Sequence, residues 1–409
     1  MEEVFILGAA RTPIGSLLGA LAPLPAPRLG AAAIRAALDR AGIAPERVAE
    51  VAMGNVLGAG IGQAPARQAA LAAGLPVSVP CTTLNKMCGS GMRAIMLGAD
   101  ALRAGSLDAG DFAGSAGPDA LAGFAGGSGF VAGGMESMSN APFLLPRARQ
   151  GMKYGHGQVL DHMALDGLED AYEPGRPMGA YAEDTAAALG ISRAEQDDFA
   201  ARSLSLAREA AAAGLADEIV PVAVPGRGGE AVVDADELPR RADPARIAAL
   251  KPAFRDGGTV TAANASAISD GAAALVLGRG GDAVRPPLAR IVASAGIAQA
   301  PAQFTTAPAG AIRVVLARAG WAMRDVDLWE INEAFAVVVL ATQRELGLPA
   351  ERINVRGGAC AIGHPIGASG ARIVVTLLAA LQARGLRRGV AAICIGGGEA
   401  TALAIERVD

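Results

Sequence analysis

The sequence predicts an α/β protein that contains two copies of one α/β unit. Two observations support this fold class: short apolar runs alternate with alanine-rich stretches, and several short motifs occur twice in the same order. Hydrophobic residues make up 52% of the 409 residues, but aromatic residues only 3%. The core is therefore expected to be packed from small side chains, so that helices and strands approach one another closely.

The first elements follow from composition and from turn residues. The apolar run 4–7 is typical of a strand, and 29–41 has the composition of a helix that Gly42 ends as a C-terminal cap. The run 48–53 is again typical of a strand. A strand, a helix and a second strand in succession indicate a parallel sheet covered by helices.

Two later turns between a strand and a helix carry reactive or polar residues. The run 78–84 is typical of a strand and 92–103 of a helix, which places Cys88 at the turn between them. The strand-like run 326–331 leads to Asn332, which we expect to open the next helix.

Matched motifs define the duplication. The pairs are Ala41-Gly42 with Ala319-Gly320, Val48 and Asn55 with Val326 and Asn332, Ser90-Gly91 and Arg93 with Ser369-Gly370 and Arg372, and Gly133-Gly134 and Glu136 with Gly396-Gly397 and Glu399. One match would be weak, but a series in the same order indicates a repeated unit. The link before the last motif is 17 residues longer in the first copy, and we interpret residues 109–129 as a Gly/Ala-rich insertion.

The duplication sets the predicted domain boundaries. We assign residues 1–138 together with 269–286 to an N-terminal half, and residues 287–409 to a C-terminal half. The segment 139–268 differs in composition, with clustered Met, His, Tyr and Pro and a charged helical pattern at 193–213. We expect it to form a loop domain that covers one face of the paired halves, where a ligand would bind.

Cys88 is a candidate nucleophile. Gly89 and Gly91 let the backbone bend sharply and another chain come close, and the N-terminus of the following helix stabilises a thiolate. The alternative is a small buried thiol, which is the usual state of an isolated cysteine.

His364 is one of only three histidines and lies in a loop rich in glycine and alanine. A single histidine in such a loop is more often structural than catalytic. The repeat, however, places this loop opposite the Cys88 loop, and a pseudo-two-fold axis between the copies would bring the two loops together. We therefore pair His364 with Cys88.

Cys394 ends a strand-like run that breaks into three glycines, beginning at Gly396. Backbone N–H groups of glycines suit the binding of an oxyanion, although a cysteine of a core strand is the alternative. Asn332 by itself indicates no more than a helix cap. Cys81 and Cys360 are expected to be packing residues.

Composition excludes several classes of function. With 36 basic and 40 acidic residues the formal net charge is −4, so a broad nucleic-acid-binding surface is not expected. Four cysteines without a Cys-x-x-Cys pair indicate neither a disulfide framework nor a zinc ribbon. The acidic start does not resemble a signal peptide, and no uninterrupted apolar run reaches the roughly 18 residues of a membrane helix. We expect a cytoplasmic protein with reduced thiols.

The segments around these residues strongly resemble the signature motifs of the thiolases. The resemblance covers nearly the whole chain and rests on NKMCGSGMRA (85–94), INEAFA (331–336), GGACAIGHPIGASGAR (357–372), CIGGGEA (394–400), VAGGMESMSNAP (131–142), KPAFRDGGTVTAANAS (251–266) and ARTPIG (10–15). It implies the thiolase-like fold, in which two βαβαβαββ halves form a five-layer α-β-α-β-α arrangement with an added loop domain.

Within the thiolases, the resemblance implies acetyl-CoA C-acetyltransferase activity. Two acetyl-CoA molecules would condense to acetoacetyl-CoA and CoA, and the reverse thiolysis would pass through the same acyl-cysteine. Cys88 would be the nucleophile, His364 would activate its thiol, and Cys394 would move the α-proton. Asn332, through a water, and the backbone N–H of Gly396 would contribute to the two oxyanion holes. No metal or redox cofactor is expected, because CoA thioesters are the substrates.

For coenzyme A, the resemblance implies that Ser266, Phe254, Met163, His162, Ala334 and Phe335 line the pantetheine tunnel. It places Arg240 near the adenine, although the local spacing leaves Arg241 as an alternative. Acetyl-CoA, acetoacetyl-CoA and CoA are the expected ligands, and neither nucleic acid nor a membrane is expected. A homotetramer is expected, or a homodimer, with Met87 near the subunit boundary.

Three other functions compete with this interpretation. A 3-ketoacyl-CoA thiolase of β-oxidation would use the same motifs on longer chains, and the motifs do not separate the two. The condensing β-ketoacyl synthases would use Cys-His-His, whereas the third position here is Cys394. A CoA-binding protein without activity would not need Cys88, His364, Cys394 and Asn332 together.

Overall fold

The computed structural model describes residues 2–107, 129–226 and 228–408, so the insertion predicted at 109–129 lies outside the described residues except for Gly129. The strands are β1 (Val4–Arg11), β2 (Gly15–Ser16), β3 (Val48–Gly54), β4 (Cys81–Leu84), β5 (Gly129–Ser137), β6 (Phe143–Leu144), β7 (Leu160–Asp161), β8 (Val222–Gly226), β9 (Gly229–Val233), β10 (Ser269–Arg279), β11 (Ala289–Ala298), β12 (Leu328–Ile331), β13 (Arg388–Ile395) and β14 (Glu399–Arg407). The α-helices are α1 (Ala26–Ala41), α2 (Pro65–Ala72), α3 (Ser90–Ala104), α4 (Met178–Leu189), α5 (Arg193–Ala213), α6 (Glu237–Arg241), α7 (Ala307–Ala319), α8 (Ala336–Leu346), α9 (Ala359–Ile362) and α10 (Ile366–Ala383).

The predicted duplication is confirmed by the order of elements. The first copy runs β1-α1-β3-α2-β4-α3-β5-β10, and the second runs β11-α7-β12-α8-α10-β13-β14. The counterpart of β4 in the second copy is reduced to one parallel bridge between Trp329 and Ile353. Each copy therefore repeats the same series of strands and crossover helices, as the matched motifs indicated.

The strands of both copies form one mixed sheet in the order β12-β13-β14-β11-β1-β10-β5-β3-β4. In the first copy β3 is parallel to both of its neighbours, β4 and β5, and in the second copy β12 is parallel to β13. The two copies meet where β1 and β11 pair antiparallel over three residue pairs, from Val4–Ile291 to Ile6–Ala289. This short connection joins two sheets that otherwise belong to separate copies.

Strand alternation sorts side chains between layers. In β5, Phe130 and Ala132 pack against the central helices α3 and α10, whereas Val131 and Met135 pack against α1 and α2. In the second copy Ile393 belongs to the same central cluster, and its neighbours on β13 face α7 and α8. Helices, sheet, helices, sheet and helices therefore follow one another, which is the expected five-layer arrangement.

Glycines let the two central helices approach closely. A Cβ atom at Gly91 of α3 would lie 2.7 Å from the backbone nitrogen of Ala371, and one at Gly370 of α10 would lie 2.5 Å from that of Met92. Real Cβ atoms do not reach such distances to a backbone. The repeated Ser-Gly-x-Arg motif thus marks the crossing of α3 and α10.

Among the described residues, α10 is the one helix that is long and apolar enough to cross a membrane. However, 89% of this segment is buried inside the protein, and core helices of soluble proteins meet the same criterion. This is weak evidence for a membrane span. Its position between the two sheets accounts for its apolar composition.

Buried charges dock the loop domain onto both copies. Arg11 of β1 donates to the Asp236 carboxylate at 2.7 and 2.9 Å and lies 3.4 Å from Glu218. Arg356 of the second copy lies 3.5 Å from the buried Glu218 and also pairs with the exposed Asp217 at 2.7 Å. Removing one partner of such a buried group leaves an uncompensated charge, so these contacts fix where the loop domain sits.

Element boundaries differ from the expectation at two turns. The predicted strand 326–331 begins at Leu328, and the prediction that Asn332 opens a helix is wrong, because α8 begins at Ala336. Asn332 instead continues the ladder, since its N–H donates to the Ala392 carbonyl at 2.9 Å. By contrast, α5 matches its predicted range, because Ser192 and Glu195 form a capping box at its start.

Candidate active site

Cys88 lies between the end of β4 and the start of α3, as the sequence predicts. Ser90 holds this turn: its Oγ accepts from the N–H of Lys86 at 2.8 Å and donates to the Met87 carbonyl at 2.6 Å. Met87 has a positive φ of 47°, which is uncommon for a residue with a side chain. The turn is thus tightly constrained and presents Cys88 just before the helix N-terminus.

The backbone of Gly396 reaches the Cys88 thiol from the other copy. Its N–H and that of Cys88 lower the pKa of the thiol, but burial has the larger effect and raises this pKa to about 11. Burial also raises the pKa of Cys394, and the nearby Cys88 adds to the increase. The structure therefore brings Cys88, Cys394 and Gly396 together.

His364 lies between α9 and α10, and its ring is oriented by Ser369. Nδ1 lies 2.5 Å from Ser369 Oγ, which also donates to the Pro365 carbonyl at 2.9 Å. A hydroxyl has one proton, so Oγ accepts from Nδ1–H, and the lone pair of the neutral imidazole is on Nε2. Burial, helped by the charge of Arg372, lowers the pKa of His364 to about 3. The ring is therefore neutral at ordinary pH.

Two buried polar atoms near this point have no hydrogen-bond partner in the described part of the chain, namely His364 Nε2 and Asn332 Nδ2. Both residues are coupled to Arg372, which donates to Asn332 Oδ1 at 3.3 Å and lowers the pKa of His364 by its charge. Unpaired buried polar atoms are rare and need an explanation. A ligand or a water between these atoms would supply the missing partner.

Glu136 is a site residue that the sequence analysis missed. Its buried carboxylate accepts from the Asn55 amide at 2.8 Å, from the N–H groups of Val56 and Leu57 at 3.0 and 3.1 Å, and from the N–H of Gly367 at 2.8 Å. Burial raises its pKa to about 7. It thus ties a loop of the first copy to the start of α10, beside His364. The repeated Gly-Gly-x-Glu motif was the available signal.

Ser369, Arg372 and Glu330 were also missed as site residues, although Ser369 and Arg372 stand in the repeated Ser-Gly-x-Arg motif. Ser369 contacts His364, Arg372 contacts Asn332, and Glu330 contacts Arg372. Their place could not be deduced without knowing which face of α10 turns toward β12. No group of three or more His, Cys, Asp or Glu within the described ranges is arranged to hold a metal ion.

One apolar cluster encloses the Cys88 side. Met163 and Cys88 both pack against the buried cluster formed by Val56, Leu57, Met138 and Ile366. Next to Met163, His162 accepts from the N–H of Ala59 through Nε2 at 3.3 Å and contacts Asp166 through Nδ1 at 2.6 Å. The structure therefore brings Met163 to Cys88 and fixes His162 beside it.

A second cluster encloses the Cys394 side. Phe254 and Phe335 meet edge to face with ring centroids 5.9 Å apart, and Ala334 and Cys394 belong to the same cluster. Ser266 joins it through the backbone, because its N–H donates to the Ala334 carbonyl at 3.0 Å. These predicted CoA-binding residues thus surround one side of the site.

Arg240 and Arg241 lie on α6, away from both clusters. Arg240 is 70% exposed and lies 3.9 Å from Asp234, and Arg241 pairs with Glu237 at 2.7 Å. No described contact links either guanidinium to Cys88, Cys394 or the aromatic pair. The role of Arg240 or Arg241 at the adenine stays a prediction.

Two family models together match nearly the whole chain. The model of the thiolase N-terminal domain matches residues 4–115 and 126–280, and that of the thiolase C-terminal domain matches 285–407. The break at 116–125 lies inside the predicted insertion.

Similar proteins cover the full length of the chain. Acetyl-CoA acetyltransferase 2 of Arabidopsis thaliana is 49% identical over 99% of this chain and 97% of its own length. The crystal structure of acetyl-CoA acetyltransferase from Bacillus anthracis has a TM-score of 0.92 at 39% identity and covers 100% of this chain and 99% of that one. A thiolase from Ascaris suum, crystallised in complex with coenzyme A, has a TM-score of 0.88 at 41% identity, with 100% of both chains covered.

Proposed function

The chain belongs to the thiolase family, and from this premise we propose that it is an acetyl-CoA C-acetyltransferase. It joins two acetyl-CoA molecules to acetoacetyl-CoA and CoA and catalyses the reverse thiolysis. One observation carries the assignment: the Cys88 thiol of one copy is close enough to Cys394 of the other copy to raise its pKa, and Cys88 packs on a cluster that contains Ile366, two residues after the neutral imidazole of His364. Acyl transfer between thiols changes no oxidation state, so the reaction needs no redox cofactor.

The first step transfers an acetyl group to Cys88. The pKa values favour a neutral thiol and a neutral imidazole at rest, so the proton passes to His364 Nε2 as the sulfur attacks the thioester carbonyl. The carbon–sulfur bond to CoA then breaks, and the departing CoA sulfur takes the proton from Nε2. The N–H groups of Cys88 and Gly396, which are directed at the thiol, stabilise the oxyanion.

The second step forms the carbon–carbon bond. Cys394 passes its proton to His364 Nε2 and then, as a thiolate, takes an α-proton from a second acetyl-CoA. The resulting enolate attacks the acyl carbonyl on Cys88, and the released Cys88 sulfur takes the proton from Nε2. The enolate oxygen requires hydrogen-bond donors while it carries charge, and one such donor is typically worth about 3 kcal/mol. The unpartnered Asn332 Nδ2, through a water, and His364 Nε2, once it carries the proton, meet this need.

Packing around Cys88 supports a short acyl group. Leu57, Met138 and Ile366 are almost fully buried in the cluster on which Cys88 and Met163 rest. A longer chain would have to displace these side chains, and overpacking of this kind costs about 1–3 kcal/mol. A 3-ketoacyl-CoA thiolase for longer chains is therefore the second candidate.

We also propose that the protein works in the cytoplasm, because both reacting cysteines have to remain reduced, and the four cysteines are free thiols. It is proposed to assemble as a homotetramer, or otherwise a homodimer. Met87 then lies near the subunit boundary.

Steady-state thiolysis of acetoacetyl-CoA and of 3-ketoacyl-CoAs with longer chains tests the function. The expected result is a kcat/KM that falls steeply as the chain lengthens, and an equal or rising kcat/KM would favour the second candidate. Cys88→Ala should abolish turnover and acyl-enzyme formation. Cys81→Ala is the matched control, since Cys81 is a half-buried thiol at the start of β4 outside the site. Acetylation of a different cysteine would contradict the assignment.

A further inference from the structure

We propose that Arg372 is a positioning residue that holds the Asn332 side chain with its NH₂ group turned into the site, and that Glu330 holds Arg372 in place. The inference rests on the proposed function for the use of this NH₂ group, and on geometry for its orientation. It assigns a purpose to a charged pair buried in the middle layer of the fold.

The three residues meet because strand alternation and one helix face coincide. Leu328, Glu330 and Asn332 are alternate residues at the end of β12, and Leu328 packs into the central cluster with α10. Arg372 of α10 donates from Nη1 to Glu330 Oε1 at 3.0 Å and from Nη2 to Asn332 Oδ1 at 3.3 Å. All three polar residues are at most 2% exposed.

The guanidinium decides which way the amide points. Arginine is a hydrogen-bond donor without any acceptor, so only the oxygen of the Asn332 amide can face it. The NH₂ group is on the other arm of the planar amide and therefore points away from Arg372. This NH₂ group has no partner among the described residues. If the amide were flipped, its NH₂ group would face the N–H donors of Arg372, and its oxygen would be the atom without a partner.

The first copy of the unit provides an internal comparison. Asn55 is the repeat counterpart of Asn332, but its NH₂ group is used, because it donates to Glu136 Oε1 at 2.8 Å and to the Met135 carbonyl at 3.2 Å. In the first copy the counterpart of Arg372 is Arg93, which is only half-buried. The same asparagine is therefore structural in one copy and left with a free donor in the other, where an arginine binds its oxygen.

Helix α10 positions two functional groups from a single face. Ser369 and Arg372 are three residues apart, so they lie on the same side of the helix. Ser369 orients the His364 ring, and Arg372 orients the Asn332 amide. The two unpartnered atoms, His364 Nε2 and Asn332 Nδ2, are thus set by one rigid element.

The test is a double-mutant cycle on condensation. Arg372→Met is combined with Glu330→Leu, so that no buried charge is left alone. We expect kcat for condensation to fall about 10- to 100-fold with little change in KM, because a donor to the enolate site is misdirected. Acyl-enzyme formation at Cys88 should persist, since Asn332 acts in the second step. In an Asn332→Ala background the same double substitution should have almost no further effect.

Arg93→Met is the matched control, because it removes the corresponding arginine of the other copy and should leave kcat unchanged. Arg372→Lys keeps the charge without the planar pair of donors, and it is expected to fold and recover part of kcat. Equal losses in the wild-type and Asn332→Ala backgrounds would overturn the proposal, as would a change confined to KM. If the double variant does not fold, Arg372→Lys with and without Asn332→Ala decides in the same way.

Neutron diffraction from the deuterated wild-type protein separates this inference from the proposed function. Deuterons on Asn332 Nδ2 directed away from Arg372 are expected whether or not the enzyme condenses acetyl-CoA. Deuterons directed toward Arg372 would overturn the inference alone. Absence of wild-type turnover with acetyl-CoA and acetoacetyl-CoA would overturn the proposed function alone.

Discussion

The two reacting thiols differ in what their surroundings offer them. Burial is the largest influence on the pKa of both and raises it, but Cys88 also receives the N–H of Gly396, whereas the neighbouring Cys88 further raises the pKa of Cys394. Once Cys88 is acylated it can no longer carry negative charge, so this contribution to the pKa of Cys394 disappears. The order of events therefore favours Cys394 as the base of the second step.

Replacement of Cys394 by alanine should separate the two steps. We expect Cys394→Ala to form acetyl-Cys88 but to lose exchange of the α-protons of acetyl-CoA with deuterated water. Mass spectrometry of the enzyme and of recovered acetyl-CoA measures both. Cys360→Ala is the control, because Cys360 is the other cysteine of the second copy and contacts Glu333 rather than Cys88. Undiminished exchange in Cys394→Ala would show that another group is the base.

Glu136 should make stability depend on pH. Its pKa is raised from 4.5 to about 7, mainly by burial, so its contribution is complete below pH 4.5 and is lost as pH rises through 7. Relative to Glu136→Gln, which does not titrate, the free energy of unfolding of the wild type should fall by about 3 kcal/mol over this window. Denaturant titrations at pH 4.5, 6 and 8 measure it. Parallel profiles for the two proteins would contradict the assignment.

At the residue scale, the repeat was enough to propose Cys88 and His364 as a pair, because it aligned two glycine-rich loops at matched helix starts. It did not identify Glu136 or Arg372, although both stand in repeated motifs. A carboxylate or a guanidinium acquires its role from the donors and acceptors around it. Those are contributed here by segments at least 40 positions away or by the other copy.

At the element scale, the crossing of α3 and α10 fixes the distance between the loops that carry Cys88 and His364. Gly370→Ala would place a Cβ 2.5 Å from the Met92 backbone, which cannot yield without moving α3. We expect a loss of about 1–3 kcal/mol in the free energy of unfolding, together with a fall in kcat, because the helix starts carry Cys88 and His364.

Gly310→Ala on α7 is the matched control for this substitution. Its Cβ would meet the Cδ1 atom of Ile297 at 2.7 Å, the far end of a flexible side chain. Alanine also favours a helix over glycine by up to about 1 kcal/mol, so little net destabilisation and an unchanged kcat are expected. Denaturation and steady-state kinetics measure both variants. Similar behaviour of the two would mean that the α3–α10 spacing is not critical.

Element boundaries were predictable where a local signal exists and not elsewhere. The capping box of Ser192 and Glu195 fixes the start of α5 within the chain itself. Asn332 gave the wrong helix start because a contact distant in sequence decides it: the N–H of Ala336, at the start of α8, donates to the Asn264 carbonyl at 2.7 Å. The helix propensity of a residue is a local property and does not reflect hydrogen-bond partners that are distant in sequence.

At the scale of the whole molecule, the duplicated architecture followed from the order of motifs, but the connection between the copies did not. Three residue pairs between β1 and β11 join the two sheets. The residue types of these two segments are those of any strand, so the sequence does not show that they pair with each other. The docking of the loop domain was equally hidden. Arg11 and Asp236 are 225 positions apart, and in the sequence neither can be distinguished from a charged residue at the surface.

Assembly is a further proposal, which rests on an open strand edge. In the described part of the chain β4 pairs with β3 on one side only, so its other edge is open. An open edge can pair with another chain, and a two-fold axis is the commonest symmetry of such assemblies. Met87 follows β4 by three residues and would then lie at the boundary, next to Cys88. The β6–β7 hairpin also exposes Phe143 and, in its connecting segment, Tyr154.

We therefore expect two different contacts, one needed for activity and one not. Light scattering with activity measurements on dilution should give an active species no smaller than a dimer of the 40.8 kDa chain. Phe143→Glu combined with Tyr154→Glu should reduce a tetramer to a dimer with unchanged kcat, because charges on the hairpin oppose burial of these side chains but leave β4 and Met87 untouched. A fully active monomer would refute the requirement for assembly, and loss of activity in the hairpin variant would place the essential contact there instead.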